Sequence, residues 1–327
     1  MTGRASTNAL GLKRLGKERG FALVTVIWGL GLITLLIVSY MSTARLRLQT
    51  AFNLAGTAQA DLIADGALSE AVLMLLAEQE ARTAPAGQPL HDGAPSFCML
   101  GGAAVAISVE DEGGKVDLNA APQKLLQTML VGFGVDMREA DMVANAIVAF
   151  RSAPTSDVNA KNFDYDEAER PFGLKRAPFQ SIMELDQTPR VSLSLFRLVS
   201  PFVTVHSRTP GVDSRTAPPA LFAALADYSQ EDIRAFTETP FPNNIDRSDT
   251  RYPSDFNQIG NNDAVLVHIE VILRTGQTSV REAVISFREA SGAAFAIKEL
   301  RRGQGRSLVR LRASLHGDYS DSLPDCG

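Results

Sequence analysis

The oxygen, sulfur and imidazole atoms are the first place to look for chemistry. Residues 152–178 crowd Asp157, Asn159, Asp164, Asp166, Glu167 and Glu169 between Pro154, Pro171 and Pro178, and residues 243–263 hold Asp246, Asp249, Asp255 and Asp263. Hard cations take oxygen ligands of this kind. Asp157, Asp164, Asp166, Glu167, Asp246 and Asp249 are therefore candidate ligands for calcium. Neither stretch has the EF-hand spacing of Gly at the sixth place and Glu at the twelfth, and a solvated acidic loop explains the same residues. Cys98 and Cys326 are the two cysteines. They could close one disulfide in an oxidising compartment, although spacing does not show that they meet. His91, His206, His268 and His316 are scattered without paired spacing. No His-Glu-x-x-His, Gly-x-Ser-x-Gly or P-loop occurs. No catalytic constellation forms. The chain reads as a non-enzyme with no required cofactor, and an anchored hydrolase is disfavoured.

The elements that would position these groups begin with an apolar stretch. Gly20 to Ala44 contains no charged side chain. As a helix it would reach roughly 37 Å, against about 30 Å for the hydrocarbon core of a bilayer. Arg4, Lys13, Arg14, Lys17 and Arg19 precede it with one acid, Glu18. That bias keeps the basic end cytoplasmic and sends the rest outward. A discarded signal peptide has a shorter apolar core and a small-x-small site; Ser39-Tyr40-Met41 is a poor one. A plain membrane anchor remains a reading of these residues. The net charge of −5 becomes −9 once residues 1–20, with five bases and one acid, are set aside. Such an acidic remainder argues against a broad phosphate-binding surface. From residue 45 to 80, Leu48, Phe52, Ala55, Leu62, Leu68, Val72 and Leu75 recur at helical spacing. No proline interrupts before Pro85, so one long helix is expected.

Arg19-Gly20-Phe21-Ala22-Leu23-Val24-Thr25-Val26 resembles a type IV prepilin leader, in which cleavage after Gly keeps the apolar helix. The resemblance implies cleavage between Gly20 and Phe21 and N-methylation of Phe21. Pilin-like chains commonly carry Glu at the fifth mature position; here it is Thr25. Habitual lack of that Glu is a feature of the minor pseudopilin K family of type II secretion systems. Val109-Glu110-Asp111-Glu112-Gly113-Gly114-Lys115-Val116-Asp117-Leu118-Asn119 also resembles a phrase of that family, and reads in its own right as a hairpin with an acidic turn. Pro178-Phe179-Gln180-Ser181-Ile182-Met183-Glu184-Leu185 is similar to another.

Val116-Asp117-Leu118-Asn119-Ala120-Ala121-Pro122-Gln123-Lys124-Leu125 repeats as Val212-Asp213-Ser214-Arg215-Thr216-Ala217-Pro218-Pro219-Ala220-Leu221, 96 residues on. The shared Val-Asp-x-x-x-Ala-Pro-x-x-Leu pattern is a helix start, with Pro where its missing N–H costs nothing. The first copy continues through Val131-Gly132-Phe133-Gly134-Val135 into a second helix, a helix-hairpin-helix-like unit; the second copy lacks the Gly-x-Gly. A membrane-anchored helix-hairpin-helix DNA-binding protein is the rival reading. Residues 131–135 hold no Lys or Arg, where phosphate contacts need donors and positive charge.

Residues 83–96 read as a loop. Residues 103–109, 265–273, 280–287 and 294–300 read as strands, and 308–315 as one more element. The expected fold is α+β. A long N-terminal helix packs on a small antiparallel sheet, and an inserted all-helical domain holds two SAM-like or helix-hairpin-helix-like repeats. The expected boundaries are leader 1–20, membrane and assembly helix 21–44, pilin-like core 45–116 with 261–327, and insertion 117–260. Residues 202–205 could be a strand of either part. The resemblance implies a tip subunit that starts and caps the pseudopilus. Its implied partners are I-like and J-like minor pseudopilins, the major pseudopilin, prepilin peptidase, the inner-membrane platform and secreted substrates, with no nucleic acid. It implies a single pass through a bacterial inner membrane, with the C-terminal region periplasmic.

Overall fold

The computed structural model describes residues 19–81, 91–152, 175–238, 245–260, 263–287, 292–316 and 323–326. The chain divides into two units, Met1–Gly56 and Thr57–Gly327. The elements in order are α1 (Arg19–Ala81), β1 (Ser96–Leu100), β2 (Ala103–Asp111), β3 (Val116–Asp117), α2 (Gln123–Gly132), α3 (Met137–Arg151), α4 (Leu193–Val199), β4 (Val203–Thr204), α5 (Pro219–Leu225), α6 (Gln230–Glu238), β5 (Ala264–Ile272), β6 (Thr278–Ser286), β7 (Ala296–Arg302) and α7 (Leu308–His316).

In the first unit the described chain is helix throughout, and Phe21, Trp28, Leu35 and Tyr40 are exposed. Thr25, Thr34, Thr43 and Thr50 each return their hydroxyl to a backbone carbonyl three or four residues earlier. Their polar atoms are thus satisfied inside the helix, as lipid requires.

In the second unit Ala60, Ala64, Ala67, Leu68, Ala71, Val72 and Leu75 form one buried stripe of α1. They pack with Val105, Val265, Val267, Ile269, Val271, Ala283 and Ile285 from one face of the sheet. The alanines let the helix lie close, and the alternating β-branched residues present the matching surface. The sheet order is β1-β2-β5-β6-β7, antiparallel at every ladder. Residues 266, 268, 270 and 272 of β5 face the other way, where Ile272 meets Ala104, Ala106 and Leu311 of α7.

The structure corrects one expectation, the hairpin at 109–119, and adds two features. Residues 96–100 form a strand, β1. Gly101 and Gly102, at φ +57° and +79°, close a two-residue hairpin to β2 that only glycine adopts easily. The stretch 109–119 is not a hairpin. β2 ends in a single 3-10 turn, Glu112–Gly114, capped by Asp111, and β3 then pairs parallel with β4 as Val116–Val203 and Asp117–Thr204. The doubtful segment 202–205 therefore belongs with the helical part. The second repeat does make its own turn. Asp227 takes the left-handed conformation at φ +57°, as Gly134 does at +86° in the first copy.

The helical part has a separate core. Leu125, Leu126, Met129 and Leu130 of α2 join Leu221, Phe222 and Leu225 of α5, with Ile147, Phe179, Leu185 and Phe202 around them. A side-chain carbon at Gly132 would fall 2.3 Å from the Ala224 carbonyl oxygen, so glycine alone permits this approach of α2 to α5. The repeat in sequence is a repeat in bonding. Arg151 donates to the carbonyls of Leu118 (2.6 Å) and Ala121 (2.7 Å), and Arg247, 96 residues on, donates to those of Ser214 (2.9 Å) and Ala217 (2.5 Å). Asp117 and Asp213 cap the matching turns, accepting from the Asn119 and Arg215 amides.

Candidate assembly site

The N-terminal candidate residues lie in α1. Gly20 and Phe21 are helical, and the Phe21 side chain is exposed. Residues 1–18, which hold most of the basic leader, fall outside the described residues. The Thr25 hydroxyl donates to the carbonyls of Ala22 (2.9 Å) and Phe21 (3.2 Å). Where a glutamate would carry a charge needing an outside partner, Thr25 completes its bonding within its own helix. Among the described residues, Phe21–Gln79 is the one segment long and apolar enough to cross a membrane.

Of the candidate calcium ligands, the structure describes Asp246 and Asp249. Asp157, Asp164, Asp166 and Glu167 lie outside the described residues. Asp246 accepts from the amide and hydroxyl of Ser248. Asp249 is held by the Arg251 guanidinium and the Tyr228 hydroxyl at 2.7 Å each, which keep its carboxyl well below the usual range. Both carboxylates already serve local turns, and among the described residues no group of three His, Cys, Asp or Glu side chains is arranged to hold a metal ion. Cys98 and Cys326 do meet, as a disulfide of 2.06 Å.

Sequence reasoning missed a buried charged layer on the sheet face opposite α1. His268 Nδ1 lies 3.0 Å from Glu282 Oε1, directly across the β5–β6 ladder, and its Nε2 lies 3.0 Å from Glu270 Oε1. With an acceptor at each ring nitrogen, imidazolium is the form that satisfies both. Burial alone would lower its pKa, but the two carboxylates hold it above the ordinary value. Glu282, resisting its own burial through His268 and Arg301, sits at about 2. Glu270 also accepts from the backbone amides of Arg306 (2.7 Å) and Ser307 (2.8 Å). Lys115 Nζ bridges Glu110 (2.9 Å) and Glu112 (2.8 Å); despite burial, their charges push it up to about 12. Lys115 and the Arg306 guanidinium in turn hold Glu110 well below the carboxylate range against its burial.

This layer ties the helical part to the sheet. Thr204 of β4 donates to Glu112, and His206 meets Glu299 of β7 at 3.1 Å. Lys115, Thr204, His206, Glu299, Arg301 and Arg306 border a cleft of about 40 Å³, space for a water or two. With both ring nitrogens of His268 committed, it is not free to act as a general base. The layer is a structural joint. One signal for it was legible: His268 and Glu270 stand two apart in an apolar strand, on the face opposite Val267 and Ile269. Its partners come from distant segments and were not.

Among the described residues the chain combines one apolar helix of membrane-spanning length, a five-stranded antiparallel sheet and a helical part spliced between two neighbouring strands. No protein-family model matches it, and no curated protein matches it. Among solved structures it is similar to a chain in "The Crystal Structure of the GspK-GspI-GspJ complex from enterotoxigenic Escherichia coli Type 2 Secretion System". The identity is 16%, the match covers 80% of this chain and 99% of that one, and the TM-score is 0.49.

Proposed function

We propose that the chain is a K-like minor pseudopilin of a type II secretion system. The observation that carries this reading is α1 itself. One helix runs from Arg19 to Ala81, is free of charge from Gly20 to Ala44, and from Ala60 onward supplies the buried face for an antiparallel sheet. Set behind Gly20-Phe21, such a helix suits a protein whose anchor is kept after cleavage. A prepilin peptidase cuts between Gly20 and Phe21 and methylates the Phe21 amine. The anchored chain, its C-terminal region periplasmic, joins I-like and J-like subunits through α1 and then the major pseudopilin on the inner-membrane platform.

Thr25 supports a tip position. Its hydroxyl bonds to its own helix and offers no carboxylate to a neighbour's amine. The helical part between β2 and β5 supplies the bulk that stops a further subunit stacking above, and it is placed to meet secreted substrates. Mass spectrometry of the mature protein from cells with prepilin peptidase tests the reading. The expected N-terminus is N-methyl-Phe21. An intact Met1, or a cut near residue 42, overturns it.

A further inference from the structure

The two edges of the sheet are protected in different ways. An edge strand offers unpaired N–H and C=O groups to any incoming strand, and charges or irregular register discourage that. The β7 edge carries Lys298, Arg301 and Arg302, and its register slips beside Val284 and Ile285. The β1 edge has neither defence. Its sequence, Ser-Phe-Cys-Met-Leu, is uncharged, and its ladder to β2 is regular.

What guards β1 is the C-terminal segment. The Met99 amide donates to the Pro324 carbonyl at 2.8 Å, and the Cys326 amide donates to the Met99 carbonyl at 3.2 Å, pairing Asp325 with Met99 in parallel. These are the groups an added strand would use. The segment also crosses the edge from one face to the other. Leu323 packs with Phe97, Met99 and Leu311 on the α7 face, whereas Cys326 joins Cys98 in the cluster under α1. The bond between Cys98 and Cys326 closes the loop across the edge. Without it, two backbone hydrogen bonds and the Leu323 contact hold the strap among the described residues.

We propose that residues 323–326 are a redox-gated strap over β1, and that releasing it lets β1 pair with β1 of a second copy. In the step, a dithiol reductant attacks the Cys98–Cys326 bond. The protein gains two thiols, and the reductant leaves as its own disulfide. Self-pairing suits this strand: antiparallel about Cys98, Phe97 would face Met99 twice over, with no like charges opposed. The β7 edge would set lysine and arginine against each other.

Hydrogen exchange and light scattering on the full chain in detergent micelles, with and without dithiothreitol, test the proposal. In reductant at low protein concentration, amide exchange in residues 96–100 is expected to rise at least tenfold while residues 264–272 stay protected. At high concentration the particle mass should double and revert on reoxidation. Cys326→Ser should reproduce both effects without reductant. Unchanged exchange in β1 overturns the strap. Equal loss of protection in β5 shows a general staple and also overturns it. An exposed β1 in a particle of unchanged mass overturns the pairing with a second copy.

Discussion

The paired arginines give the sharpest quantitative test. Arg151→Met and Arg247→Met each keep the apolar stem and remove a guanidinium that spans two carbonyls, at 2.6 and 2.7 Å in one copy and 2.9 and 2.5 Å in the other. A hydrogen bond to a charged group contributes about 1.5–3 kcal/mol net, and two orphaned carbonyls add their own penalty. Burial of the guanidinium opposes this, lowering the pKa of both arginines. The balance gives a loss of about 2–4 kcal/mol at each site. The lysine variants should not restore it, because one ammonium cannot reproduce the planar fork. Urea unfolding followed by circular dichroism in micelles would read each loss. Equivalent places in the repeat demand similar losses, within about 1 kcal/mol of each other. If either variant lost under about 0.5 kcal/mol, or the two differed several-fold, the claim that both guanidinia clamp their turns would be wrong.

Gly132→Ala should cost about 3 kcal/mol or more by forcing a methyl against the Ala224 carbonyl, whereas Gly66→Ala on the open side of α1 should be neutral or stabilising by about 0.5–1 kcal/mol in the same denaturation assay. Lys115→Met leaves Glu112 buried without its cation and Glu110 with Arg306 alone, and should cost about 3–5 kcal/mol at neutral pH. His268 is held above its ordinary value of 6.5, so its stabilisation is complete below that pH and fades as pH rises through the folded-state value. Glu282, lowered from 4.5 to about 2, stabilises above pH 4.5 and loses its contribution as pH falls toward 2. Unfolding curves should therefore show greatest stability between those limits, and His268→Gln should flatten the alkaline side.

How legible these features were depended on how local their causes are. α1 and β5 could be read directly, because an uncharged run and a two-residue alternation are written in consecutive residues. The repeat was readable as Val-Asp-x-x-x-Ala-Pro-x-x-Leu, but its arginines were not, since Arg151 and Arg247 reach back 30 residues or more to their carbonyls. β1 escaped notice because it is short and begins beside the Gly- and Pro-rich segment. β3 and β4 have two residues each and exist only through their pairing. The second hairpin was hidden because Asp227 takes the place of the expected glycine. In the second acidic loop, Asp246 and Asp249 bind Ser248 and Arg251 beside them, a local pairing that the acidic composition did not reveal.

The splice between β2 and β5 has a kinetic consequence. Asp111 pairs with Val265 and Ala104 with Ile272, so the centre of the sheet joins strands that residues 112–263 keep apart in the chain. A disordered loop of that length would delay such a ladder, because rates fall as contacts become more distant in sequence. Within the helical part, α2 meets α3 and α5 meets α6 through local contacts, and α2 then packs on α5. Collapse of the helical part would bring Asp111 and Ala264 near each other before β2 and β5 pair, and the ladder would then zip away from that junction. The helical part is in this sense a folding template for the sheet that holds it.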